Sequence, residues 1–265
     1  MSQSNDLSED PGTGYLLSIS DLMSGLLFIF IILLAVFVVN FKRAIQEQEQ
    51  INIKLNDIVE GLTENNQRRS ELLKQIQLEL EKKNINVYID LEHGILRLKE
   101  DTIRFTTGGD RLNEQQLERL NTIGDVLATI IPCYANNPAE SYQENPHMFS
   151  VCDKNIEGKL DSIFIEGHTD NVPIGGRLAI KFKDNWDLSA SRSIYTFRSL
   201  VTRLPALSLM KNSSEQPIFS VSGYGDGRPV PGHYYPYPKN DPENRRIDIR
   251  FIMTPPKVPL DNEQQ

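Results

Sequence analysis

Ser162-Ile163-Phe164-Ile165-Glu166-Gly167-His168-Thr169-Asp170 is the stretch that decides how this chain folds. Its first five residues, β-branched and aromatic, read as a strand; Gly167 breaks the run and a polar loop follows. Residues 187–203 then carry a helical pattern that stops before Pro205, and Ile218 to Ser222 is again strand-like. A strand, a helix and a second strand at this spacing imply a crossover that lays the helix on a sheet.

The pattern extends in both directions. Upstream, Val87 to Leu91 and Ile95 to Leu98 flank Glu92-His93-Gly94, a strand, turn and strand. Residues 114–131 repeat apolar side chains at a helical period, Leu117, Leu120, Ile123, Leu127 and Ile130, until Pro132. Downstream, Ile247 to Ile252 alternates Ile247, Ile249 and Phe251 inward as a last strand. The expectation is an α/β or α+β sandwich, a mixed and largely parallel sheet with helices packed on it. Between the first helix and the central strand lies a polar insert, residues 132–160, bracketed by Cys133 and Cys152, the only two cysteines. Two readings stay open, unrelated buried thiols or a disulfide. A bridge closing a loop of 20 residues would stabilise by about 3 kcal/mol in the chain-entropy model, and such bonds persist outside the cytosol.

Before the hairpin, residues 42–84 read as a helical connector. Ile51, Leu55, Ile58, Leu62, Leu72 and Ile76 follow heptad spacing, interrupted by Asn65 and Arg69 on the same seam. This suits a weak parallel coiled coil, hence a homodimer; a solvated amphipathic helix is the alternative. Residues 15–41 are apolar enough for a transmembrane helix and carry one charge, Asp21. A mid-membrane Asp costs roughly 2.5 to 3.5 kcal/mol, which makes it a functional candidate. Ser18-Ile19-Ser20-Asp21 also fits a capping box, in which case the helix starts at Ile19 and Asp21 only caps it. The run lacks the basic n-region and the small-residue cleavage site of a signal peptide, so it is expected to stay as a single-pass anchor after a short tail, residues 1–14.

Composition narrows the partners. A net charge of −8 and a pI near 5.1 exclude nucleic acid as a main partner. Residues 1–14 hold Asp6, Glu9 and Asp10 without Lys or Arg, whereas Lys42 and Arg43 follow the span, so the positive-inside rule alone favours a cytoplasmic C-terminus. A disulfide would oppose that. His93, His147, His168 and His233 have no Cys or acid at metal-ligand spacing, and no serine sits in a nucleophile elbow, so neither an enzyme nor a cofactor site is expected. His168 reads as a satisfied turn histidine.

Four ordered blocks remain: Ile165 to Asp170; Asn185-Trp186-Asp187-Leu188-Ser189-Ala190-Ser191-Arg192; Gly223-Tyr224-Gly225; and Asn240 to Asp248, with Asn244-Arg245-Arg246 at its centre. In order and spacing they resemble the peptidoglycan-binding domain shared by OmpA and MotB proteins, over residues 85–254. Asp170 leaves a strand and Arg192 lies one helical turn beyond Leu188, so both can face one cleft. There the carboxylate would accept an ammonium and the guanidinium would grip a carboxylate, which suits an amino acid presenting both. An internal Asp170–Arg192 ion pair is the alternative. The resemblance implies that Asp170 and Arg192 hold the diaminopimelate of the wall stem peptide, with Thr169 beside them and Leu188 shaping the floor. Asn185 either caps the helix or orders the loop, and Asp187 competes for the cap. Trp186 is expected to pack. Arg245 and Arg246 either line the site or sit as solvated edge charge. Residues 226–240 read as a stiff surface excursion, and 255–265 as a disordered tail.

Ser20-Asp21-Leu22-Met23-Ser24-Gly25, a single span, a helical connector and this domain together resemble stator B-subunits, and among them the ZorB subunits of Zorya anti-phage defence. That resemblance implies a MotA-like (ZorA-type) partner ring, Asp21 as a carrier of ions, most simply protons, and an inner-membrane location with the N-terminus cytoplasmic and the domain periplasmic. A flagellar stator subunit and a passive wall tether are the alternatives.

Overall fold

The computed structural model describes residues 11–98, 102–136 and 159–256, with side chains from Ile19 onward. Helix α1 spans Pro11–Lys82. Proline suits a first helical position, where its missing N–H costs nothing. Ser18 to Asp21 therefore lies inside the helix and not at its start, and the capping reading of Asp21 is corrected: the backbone N–H groups there already have partners one turn back. The chain divides into two compact units, one containing residues up to Val59 and one running from Glu60 to Lys257.

In the first unit the helix from Ile19 is long and apolar enough to cross a membrane. Leu22, Leu26, Phe30, Leu33 and Phe37 are all exposed on it. Further along, Ile51, Leu55 and the neighbouring Val59 are exposed too.

The second unit takes in the end of the 42–84 segment. Leu72, Leu73, Ile76 and Leu80 have no exposed surface and pack in the same core cluster as the sheet. Leu72 and Ile76, expected on a seam between copies, instead belong to this chain's own core; a heptad pattern records an apolar stripe without saying what covers it. After α1 come β1 (Val87–Asp90), β2 (Ile95–Leu98), α2 (Glu114–Ile130), β3 (Leu160–Gly167), α3 (Asn185–Arg203), the short α4 (Ala206–Leu209), β4 (Phe219–Gly223) and β5 (Ile247–Met253). Asn113 caps α2 with Gln116 in a reciprocal box, and Pro132 diverts the chain into a 3-10 turn, Ile131–Cys133. Cys152, the expected partner of Cys133, lies outside the described residues, as does the tail from residue 257.

The five strands lie in the order β1-β2-β5-β3-β4. The sheet is mixed, but largely parallel is corrected: only β3 and β4 run parallel, joined by the α3 crossover, while β5 is antiparallel to both β2 and β3. The last strand enters the middle of the sheet, which no local pattern announces. One sheet face supplies Leu96, Leu98, Ile163, Ile165, Ile247, Ile249 and Phe251 to a core closed by Leu120, Ile123 and Leu127 of α2. The other face carries an ion-pair ladder: Arg97 to Asp248 at 3.0 Å and Arg250 to Glu166 at 2.7 Å.

Candidate functional site

The candidate cleft forms where β3 and β4 end beneath the first turns of α3. Gly167 and Gly223 allow that approach: a Cβ at Gly167 would strike the Ser189 carbonyl, and one at Gly223 the backbone of Ala190. Gly225 has φ +53°, a conformation suited to glycine. Its N–H donates to Ser189 Oγ at 2.9 Å, and its carbonyl accepts from Thr169 N at 2.8 Å. These bonds knit three of the four sequence blocks together.

Helix α3 begins at Asn185, two residues earlier than expected, because Asp184 is the N-cap: its carboxylate accepts from the backbone of Trp186 and Asp187. Asp187, the expected competitor for the cap, instead accepts from Lys183 N at 2.9 Å. Asn185 is freed for the loop, and its amide donates to the carbonyls of Asp170 and Val172 at 3.3 and 3.2 Å. Trp186, expected in the packing, is 55% exposed.

Thr169, Asp170, Asn185, Leu188 and Arg192 all line one cleft of about 30 Å³, together with Gly108 and Arg245. So small a cleft suits the end of a ligand side chain and not a whole ring. Larger hollows of about 460 Å³ between α2 and α3 and about 510 Å³ on the outer sheet face lack this convergence of motif residues.

Arg192 has no exposed surface. Its Nε donates to the Gly109 carbonyl at 2.8 Å, Nη1 to that of His168 at 3.2 Å and Nη2 to that of Thr106 at 3.2 Å. The guanidinium also lies over the Phe105 ring at 5.0 Å. A buried charge is tolerable only with such partners. Burial lowers its pKa to about 10; the Asp170 charge opposes that shift and the Arg245 charge adds to it. Asp110, which sequence reasoning passed over, ties the same loop down, accepting from Ser191 Oγ at 2.7 Å and Lys181 Nζ at 2.6 Å.

Asp170 is paired, but not to Arg192. Its Oδ2 accepts from Arg245 Nη1 at 2.7 Å, and Oδ1 from Val172 N at 3.3 Å. Arg245 is 4% exposed, which removes its reading as solvated edge charge. The loop before it fixes its position: Asn240 Oδ1 accepts from the same guanidinium, and Asn171 bonds the Tyr235 and Tyr237 carbonyls at 2.8 Å each. The 226–240 segment is thus tied to the residue next to Asp170. A cue was available in the sequence, since Asn244-Arg245-Arg246 belongs to the fourth block, but spacing alone does not choose between the two arginines.

His168 is not the satisfied histidine expected. It is 1% exposed, neither ring nitrogen has a hydrogen-bond partner among the described residues, and the ring stacks on Tyr224 at 5.4 Å. Burial first, and then the charge of Arg246, pushes its pKa down to about 3, so it is neutral at working pH. Ligand atoms of Glu166, His168 and Asp248 lie within 4.8 Å of one another. Arg97, Arg246 and Arg250 already occupy the two carboxylates, and three guanidiniums oppose a further cation. These residues do not fit a metal centre.

No family model matches the chain, and no curated protein matches it. Solved structures do. A putative MotB-like protein from Desulfovibrio vulgaris is 19% identical, with a TM-score of 0.46 over 72% of this chain and 98% of that one. The periplasmic domain of Helicobacter pylori MotB is 19% identical, with a TM-score of 0.36 over 60% and 75%. The cell wall anchor of the type VI secretion system from Pseudomonas aeruginosa is 16% identical, with a TM-score of 0.40 over 68% and 96%.

Proposed function

We propose that this chain is the B subunit of a stator-type, ion-driven membrane assembly whose sheet domain anchors it to peptidoglycan. The observation that carries the wall-binding part is the meeting of Thr169, Asp170, Asn185, Leu188 and Arg192, from separate sequence blocks, in one buried cleft. Asp170 offers an anion for an ammonium group. Arg192, held by three carbonyls, fixes the loop at 106–109 against the end of β3 and adds a positive field for a carboxylate. The diaminopimelate of a stem peptide presents both groups.

The membrane part rests on Asp21. It has no capping duty inside α1 and stands among exposed apolar side chains, so in a bilayer its charge needs a partner or a job. In this proposal it carries protons inside a ring of MotA-like (ZorA-type) subunits, and two copies pair through Ile51, Leu55, Ile58 and Leu62. The N-terminus is cytoplasmic, the domain is periplasmic, and Cys133 and Cys152 form a disulfide there. The setting is Zorya-type anti-phage defence, to be distinguished from a flagellar stator by the neighbouring genes.

The test is co-sedimentation of the full chain, in detergent, with diaminopimelate-type peptidoglycan. The natural chain pellets, and Asp170→Asn, checked for folding by Trp186 fluorescence, stays in the supernatant. A folded Asp170→Asn variant that still pellets removes Asp170 as the ammonium acceptor.

A further inference from the structure

The hollow of about 460 Å³ between α2 and α3 shares no lining residue with the cleft and has the volume of a small-molecule site. Leu117 and Asn121, one turn apart on α2, line it with Tyr195, Arg198 and Thr202 of α3, and Asp110 and Arg111 border it from the loop before α2. Its charged acceptor is already occupied. The Asp110 carboxylate takes Lys181 Nζ at 2.6 Å and Ser191 Oγ at 2.7 Å. Arg203, also in the lining, is committed as well, giving its Nη2 to Asp125 at 3.0 Å. The remaining donors are not committed. The side chains of Asn121, Arg198 and Thr202 make no hydrogen bond among the described residues, and Arg111 lies over the Tyr195 ring at 4.8 Å without an acidic partner among them.

Charge narrows the ligand class. One carboxylate and three guanidiniums line the hollow, a sum of +2 (−1 and +3), and including the outer partners Lys181 and Asp125 leaves it at +2. This excess stands in a chain of net charge −8. A carboxylate would cancel half of it. A phosphate monoester carries about −1.5 to −2 at pH 7 on three acceptor oxygens, and the planar fork of arginine matches those oxygens.

We propose that this hollow binds a phosphate monoester of a small hydroxylated molecule, with Arg111 and Arg198 on the phosphate and Asn121, Tyr195 and Thr202 on the hydroxyl groups. The proposal stands apart from the wall-binding reading, since the two sites have no residue in common.

The test is calorimetric titration of the full chain in detergent micelles with the terminal phosphate ester of glucose, with glucuronate and with glucose itself. The natural chain binds the ester at least about tenfold more tightly than glucuronate, as one further charge-assisted hydrogen bond allows, and glucose shows no heat of binding. Arg111→Gln and Arg198→Gln, both at exposed positions, each weaken the ester at least about tenfold, whereas Lys83→Gln, which removes the same charge outside the hollow, leaves it unchanged. Should a Gln variant fail to fold, Arg111→Lys or Arg198→Lys keeps the charge without the fork, and its ester affinity still falls. Ester affinity that survives these changes, glucuronate binding as tight as the ester, or no binding of the ester by the natural chain overturns the proposal. So does a tetraglutamate peptide that binds more tightly than the ester, which would assign the hollow to an acidic protein segment. Repeating the titration with the chain in nanodiscs that carry phosphatidic acid separates two sources of the phosphate: an ester affinity lost there marks a lipid headgroup and a retained one a soluble ester, and both support the site.

Discussion

Replacing Arg192 with Met tests whether this side chain braces the cleft from within or reaches out as a solvent-facing ligand. Methionine keeps the apolar stem and fills most of the volume, but removes the donors that the carbonyls of Thr106, Gly109 and His168 now share, at 2.8 to 3.2 Å. Each bond to a charged donor is worth about 1.5 to 3 kcal/mol, yet losing the buried charge also removes its own desolvation cost. Because the carbonyls stay behind without partners, the expected net loss is about 3 to 5 kcal/mol, the range for breaking a buried charged network from one side. For a unit running from Glu60 to Lys257, this corresponds to a melting-point fall of roughly 10 °C. Urea unfolding followed by Trp186 fluorescence reads it directly, since Trp186 is the only Trp and opens α3. A loss below about 1 kcal/mol would mean that water replaces the guanidinium, and the brace would be refuted.

Two further outcomes are expected. Leu72→Ala or Ile76→Ala costs the sheet domain about 2 to 5 kcal/mol, because both side chains are fully buried in its core, whereas Leu55→Ala, at a half-exposed position, leaves urea unfolding within about 0.5 kcal/mol and weakens self-association. Equal effects from both ends of the helix would contradict the division at Val59 and Glu60. His168, held down to about 3 by burial, binds its proton in the unfolded chain at about 6.5. Between those values the unfolded state carries more protons, so stability is full above pH 6.5 and declines on acidification by at most about 1.4 kcal/mol per pH unit. Stability curves for His168→Gln should lose that part of the acid limb; an unchanged slope places the proton elsewhere.

The periodic elements were legible in the sequence because each answers to local rules. Period-two strands, a 3.6-residue repeat in α2 and the proline stops all landed within a few residues of their observed bounds. Failures occurred where one pattern serves two packings. The stripe through Leu72 and Ile76 looks the same whether it meets a second copy or the chain's own sheet. Ser18-Ile19-Ser20-Asp21 resembles a cap, but Pro11 starts the helix first. The position of β5 between β2 and β3 is set by long-range pairing. In the cleft, motif order singled out Asp170, Asn185, Leu188 and Arg192, and the structure brings them together. It could not reveal that Arg192 spends its donors on carbonyls or that Asp170 pairs with Arg245, since those partners lie 24 to 86 residues away in sequence.

The central claim is that a wall-anchored chain carries ions at Asp21, and proton flux measures it. With the chain and its MotA-like partner reconstituted in vesicles that hold a pH-sensitive dye, the natural chain should dissipate an imposed proton gradient. Asp21→Asn should abolish that flux while the variant still inserts and assembles. Undiminished flux through an assembled Asp21→Asn complex would contradict the account.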